Sequence, residues 1–193
     1  MIYVICLLVL VAASAIAAHC YKLDKIKITI TSLIVGLLLL WQYGFTFAFV
    51  KAAIFGIALV VVSFYDIKTH HIPMAMVLIM LVAAALIEPL TLLQMIAAII
   101  FVVIFLFPFA FFNKGLGMGD IYLLLPIAII LGLPNLLYAI ILGLFLFVVG
   151  IGVYKLYQHL RNNSGTDKPM NKTAFALGPW LSLGAVITLL FIV

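Results

Sequence analysis

The sequence predicts an all-α fold, a polytopic membrane helical bundle of about eight transmembrane helices with both termini outside. Three observations lead there. Of 193 residues, 69% are hydrophobic and 8% charged, with a mean hydropathy of +1.47, whereas soluble domains run at about 45–50% apolar and about 25% charged. The apolar residues fall in runs far longer than the roughly ten-residue alternating segments of a membrane barrel, and lipid admits only helices or closed barrels as spanning structures. The basic residues, finally, gather in alternate loops, nine of the ten on one side.

The first run, 2–18, starts apolar with no basic segment ahead of it, so it reads as a span and not as a standard cleavable signal peptide. Cys6 and Cys20 belong to this segment and form no C-x-x-C pair, which gives neither a zinc module nor a disulfide framework. The runs 28–50, 52–65, 72–87, 90–112, 121–133, 136–154 and 174–193 follow. The third, fourth and sixth are short. At about 1.5 Å per residue the sixth covers only ~20 Å of a hydrocarbon core about 30 Å thick. Pro108 and Pro126 mark expected kinks.

With eight spans, the loops 19–27, 66–71, 113–120 and 155–173 share one face. They carry Lys22, Lys25, Lys27, Lys68, Lys114, Lys155, Arg161, Lys168 and Lys172, while the opposite face carries only Lys51. Such asymmetry marks the basic face as cytoplasmic. A re-entrant sixth run would move the basic residues after it to the other side and destroy the pattern, so eight spans are kept. The net charge of +5 then suits anionic lipid, at about 1 kcal/mol per basic residue near the surface. No Lys/Arg block alternates with aromatics as a nucleic-acid stripe does, so the lipid bilayer is an expected partner and nucleic acid is not. The chain reads as one integral-membrane domain over 1–193. Its one linker-like stretch is 158–173, and it has no internal repeat of the kind that builds many transporters.

Only five residues are acidic. Asp24 lies among Lys22, Lys25 and Lys27, and Asp167 beside Lys168, as solvated loop charges do; Glu88 precedes Pro89 at the outer end of the fourth span. Asp66 and Asp120 are different. Asp66 ends a short run, where an anion opposes the helix dipole. Asp120 follows Gly115-Leu116-Gly117-Met118-Gly119. It suits an N-cap, but a cap needs no alternating glycines, which permit close approach of chain or ligand. The stretch lacks the G-K-[ST] ending of a phosphate-binding loop. Taken singly, each Asp fits a structural role as well as a functional one. Together they share one membrane face at comparable depth, and two carboxylates brought close share a proton, one acting as base on water and the other as acid on a carbonyl.

The segments Asp66-Ile67-Lys68-Thr69-His70-His71-Ile72-Pro73 and Gly117-Met118-Gly119-Asp120 resemble the type IV prepilin peptidases, membrane aspartyl proteases with a GxGD motif also found in presenilins. Ala176-Leu177-Gly178-Pro179-Trp180 is similar to that family's Gly-Pro segment in the last span. The resemblance runs from about residue 52 to 193. It implies an aspartic-type endopeptidase that removes the short basic leader of prepilin or pseudopilin-like membrane proteins at the cytoplasmic face, without cofactor or metal. Asp66 and Asp120 are its implied catalytic pair. Gly117 and Gly119 shape the loop of the second, Lys68 accompanies the first, and Ile72 and Pro73 start the next helix and fix the Asp66 loop. This chain departs from the family pattern at Tyr122, where Lys is common, and at Met74, where Asp or Asn is frequent. It also lacks the cysteine-bearing region of the members that N-methylate their product, so peptidase activity alone is expected. His70 and His71 read as interfacial loop histidines. A small ion- or proton-coupled transporter and a non-catalytic assembly protein of the same fold are the alternatives.

Overall fold

The computed structural model describes residues 2–86, 92–106, 108, 117–161 and 176–191, and every element among them is helical. In chain order these are α1 (Ile2–Cys20), α2 (Lys25–Tyr43), α3 (Phe47–Thr69), α4 (Met74–Leu86), α5 (Leu92–Phe101) with a π-helical turn over Val102–Leu106, α6 (Met118–Arg161) and α7 (Gly178–Phe191). Four of them, α1, α2, α3 and α6, are long and apolar enough to cross a membrane. The expectations for Glu88, Asp167 and Lys114, and for nearly all of the 158–173 linker, lie outside the described residues.

The second and third runs divide differently from the sequence expectation. Gly44 closes α2 at a positive φ of 60°, its N–H donating to the Leu40 carbonyl at 2.9 Å. Thr46 then caps α3 by accepting the Phe49 N–H at 3.4 Å. The apolar residues 47–50 therefore belong to α3, which spans 23 residues and is not short. Lys51 moves with them. It is not a loop cation but a buried residue, 9% exposed, one turn inside α3 with its ammonium 4.7 Å from the centre of the Phe47 ring. At the other end, Asp24 is not merely a loop charge. It caps α2, and the hydrogen-bonded Lys27 side chain, at 3.2 Å, holds its carboxyl below the usual carboxylate range.

Helix α3 is buried almost all round from Phe49 to Val62, as an apolar helix without a polar face must be. It packs against α1, α2, α4 and α7, while α6 packs against α4, α5 and α7. The outer helices α1 and α2 keep large apolar side chains such as Leu8, Ile16, Ile26 and Trp41 on the surface, where lipid rather than water covers them.

The sixth and seventh runs join in α6, broken at Gly132, whose φ of 70° and ψ of 171° are non-helical. Beyond it Ala139 meets Gly184, Gly143 meets Leu181, and Gly150 meets the Trp180 ring. These pairs run antiparallel to α7, so the second arm returns towards the end at which α6 began. The break sits beside Pro134, not at Pro126, which lies within the first arm. The π-helical turn precedes Pro108, whose ring crowds the carbonyl four residues back.

The α6–α7 crossing depends on missing side chains. A Cβ at Gly184 would lie 2.8 Å from the Gly143 nitrogen and would also strike the Ala139 carbonyl oxygen. Both are backbone atoms that cannot yield without moving a helix. Gly184→Ala is therefore expected to destabilise the detergent-solubilised protein by about 1–3 kcal/mol through overpacking. A Cβ at Gly152 meets nothing within 4 Å, so Gly152→Ala should be neutral or gain about 0.5–1 kcal/mol. Thermal unfolding of the two variants separates these outcomes, and equal melting temperatures would refute the close crossing.

Candidate active site

Three helix ends meet at one place: the C-terminus of α3 and the N-termini of α6 and α7. Near the end of α3, Asp66 is turned inward and is 5% exposed. The helix closes on His70 in the left-handed conformation (φ 55°, ψ 31°), whose N–H donates to the Asp66 carbonyl at 2.8 Å. His71 Nδ1 lies 2.7 Å from the Thr69 carbonyl oxygen. A carbonyl only accepts, so this nitrogen carries a proton. Pro73 sits one residue before α4, its carbonyl accepting the Met76 and Val77 N–H groups at 3.0 and 3.3 Å. It is the N-cap of that helix, with Met74 the first helical residue.

Asp120 stands in the first turn of α6 and is 9% exposed. Gly117 donates its N–H to Asp120 Oδ2 at 3.2 Å, and the Asp120 N–H donates to the Gly117 carbonyl at 3.0 Å. Asp120 is thus not the N-cap. It is the third helical residue reaching back to the cap, half of a capping-box arrangement. A Cβ on Gly117 would lie 3.2 Å from that same Oδ2, and one on Gly119 would lie 3.3 Å from Ile72 Cγ1. The first glycine leaves room for the carboxylate; the second lets the Ile72 segment pack against the loop.

The two acids meet at Gly178, the first residue of α7. Its N–H donates to Asp66 Oδ2 at 3.1 Å in a buried contact. A Cβ there would lie 2.6 Å from that oxygen and 3.6 Å from Asp120 Oδ1. Each carboxylate has one oxygen on a glycine N–H. Around them opens a pocket of about 360 Å³ lined by Asp66, His70, His71, Ile72, Gly117 and Asp120, together with Met74, Met118, Gly119 and Tyr122. An acid able to give a proton, an acid able to take one, and space for water and a peptide are what aspartyl hydrolysis needs.

Of the residues expected at the site, Asp66, Asp120, Gly117, Gly119 and Ile72 come together, with Pro73 adjoining. Lys68 does not. Its ammonium donates to the Lys22 carbonyl, tying the end of α3 to the α1–α2 turn, and it is not among the residues that line the pocket. His70 and His71, read as interfacial loop histidines with His70 placed four residues after Asp66 to tune it or touch substrate, form part of the wall. Gly178 carried its signal in the Gly-Pro pair, and no spacing argument tied it to Asp66. Among the described residues no group of three or more His, Cys, Asp or Glu side chains is placed to hold a metal ion.

The chain is thus an all-helical apolar bundle with two buried carboxylates brought together at its helix ends. The family model of the type IV leader peptidase family matches residues 53–153, more than half of the chain. The chain belongs to that family. The matched stretch contains both Asp66 and Asp120 and stops short of α7. Among curated proteins and among solved structures the chain has no match.

The Gly119–Ile72 contact has a measurable consequence. Gly119→Val should lower stability by about 1–3 kcal/mol through overpacking, and adding Ile72→Ala should recover part of that loss, because residues in contact do not act additively. Purely additive melting shifts would show that the two do not touch.

Proposed function

We propose that this protein is a membrane aspartyl endopeptidase that cleaves the short basic leader of prepilin-like precursors at the cytoplasmic face. The single observation that carries the reading is the meeting of Asp66 and Asp120, from different helices, against Gly178 in one open pocket. Membership of the type IV leader peptidase family supports aspartic-type peptidase activity. We take the orientation from the basic residues, with the α1–α2 turn and the end of α3 cytoplasmic, and the chain crossing eight times with both termini outside.

In this mechanism the ionised member of the pair takes a proton from a water molecule as the water oxygen attacks the scissile carbonyl. The protonated member gives its proton to the carbonyl oxygen. The resulting gem-diol collapses, the C–N bond breaks, and a proton passes to the leaving nitrogen. The substrate must enter with its backbone extended, since a helix shields its own carbonyls. Tyr122 and Met74 line the pocket at the two positions where this chain departs from the family pattern, which makes them the natural contacts for substrate side chains.

Co-expression tests the reading, using a substrate with a basic leader, Gly at the junction and an apolar helix. Asp66→Asn and Asp120→Asn should each lower cleavage by at least about 10²–10⁴-fold, the usual share of general acid–base catalysis, while membrane insertion is unchanged. Normal processing by either variant refutes the pair. With purified protein, kcat/KM should fall on both sides of an optimum: at low pH a second proton removes the base, and at high pH loss of the shared proton removes the acid. A rate that changes monotonically with pH is incompatible with one shared proton.

A further inference from the structure

We propose that Gly178 is a positioning residue for Asp66, so that the catalytic pair is completed by α7, outside the stretch that matches the family. The inference rests on the peptidase reading of the same site and adds a residue to it.

The N-terminus of a helix presents N–H groups that have no partner within the helix. In α7 these are nearly all spoken for. The Trp180 and Leu181 N–H groups both donate to the Leu177 carbonyl, at 3.0 and 3.1 Å. Pro179 has no N–H to offer. Gly178 is left as the free donor of the first turn, and its N–H lies on Asp66 Oδ2 at 3.1 Å. The positive end of the α7 dipole faces the same oxygen. With one oxygen held, Asp66 is confined to an orientation in which its other oxygen is available to water or substrate.

The register of α7 is not free to drift. The crossing of Gly184 over Ala139 and Gly143, and of Gly150 over the Trp180 ring, leaves no space for sliding. Trp180 also makes an edge-on contact with Phe147 at 6.4 Å between ring centres. About two and a half turns further along, Tyr43 of α2 donates its hydroxyl to the Leu189 carbonyl at 3.1 Å. Helix α7 is therefore clamped along its length, and Gly178 is delivered to a fixed place.

Gly178 also has to be glycine. Its Cβ would lie 2.6 Å from Asp66 Oδ2, closer than real contacts allow. The obstructing atom is the tip of a side chain, not backbone, so the protein can relieve the conflict by turning the Asp66 carboxylate away. Gly178→Ala should thus fold and insert but hold Asp66 in the wrong place.

Two measurements on the full chain in detergent test this. In protein labelled with 15N-glycine, amide exchange at Gly178 should be slow. Asp66→Ala should accelerate it by about tenfold or more through loss of the acceptor, while Asp120→Ala leaves it within about threefold. Unchanged exchange in Asp66→Ala overturns the contact. In the cleavage assay, Gly178→Ala should lose about 10²-fold in kcat, as misplacement by about 1 Å does, with KM within about threefold. The lipid-facing control Leu183→Ala should keep both constants. Wild-type kcat in Gly178→Ala overturns the positioning role. The exchange result stands without any turnover, so a wild-type protein that cleaves no leader substrate refutes the peptidase reading and not the contact.

Discussion

A carboxylate enclosed in an apolar helical bundle is costly by several kcal/mol unless it is hydrogen-bonded or kept neutral. This protein sets two of them against the same backbone position. The solution is two glycine N–H groups, Gly117 on Asp120 and Gly178 on Asp66, each supplied at the N-terminal end of a helix. The first is local to the α6 N-terminus, whereas the second joins α7 to α3 and does not survive a shift of either helix by a fraction of a turn. The depth and register of α3, α6 and α7 are all subordinate to keeping these ends together.

That requirement explains where the glycines fall. Between α6 and α7 there is no hydrophobic drive in lipid of the kind that packs soluble helices, and close van der Waals approach takes its place. Gly143, Gly150 and Gly184 permit that approach and fix α7 along its axis. On the other side of the site, Gly119 admits Ile72, which brings the loop between α3 and α4 onto the N-terminus of α6. Helix α3 runs through the middle as a rod buried on nearly every face, and its left-handed terminal residue His70 turns the chain across the pocket mouth.

Much of this was legible in the sequence, because lipid makes helices of long apolar runs and leaves charges with few places to be. Asp66 and Asp120 stood out since three of the five acids had plain explanations, and the alternating glycines before Asp120 exceeded what a cap requires. The boundary at Gly44 was not legible. Residues 47–50 are as apolar as the run before them, and only a positive φ at Gly44 and a Thr46 cap separate the helices. Lys51 followed that error, since a lysine between two apolar runs reads as loop although its stem and ammonium pack within a helix. Lys68 lies two residues after Asp66, yet on a helix neighbours two apart face different ways, and its reach to Lys22 depends on where α1 ends in space. The tie between Gly178 and Asp66 spans most of the chain, and no periodicity reports a contact of that range.

A hydrolase made of membrane helices needs water, polar groups and an extended peptide in one place, and the interior of a helix offers none of them. Its N–H and C=O groups are consumed by the helix itself. Helix ends leave donors free, and there the backbone departs from helical geometry, as at His70. Bringing three ends together at one membrane boundary therefore does more than position two acids. It brings together N–H groups that the starts of α6 and α7 leave free, and it opens between them the pocket walled by His70, His71 and Tyr122. On the proposed reading, a substrate strand in that pocket would meet carboxylates with one oxygen each already held, so ordering the pair is not left to the moment of binding. In the proposed mechanism the same logic assigns specificity to the walls, Tyr122 and Met74 among them, since the pair would be committed to the proton.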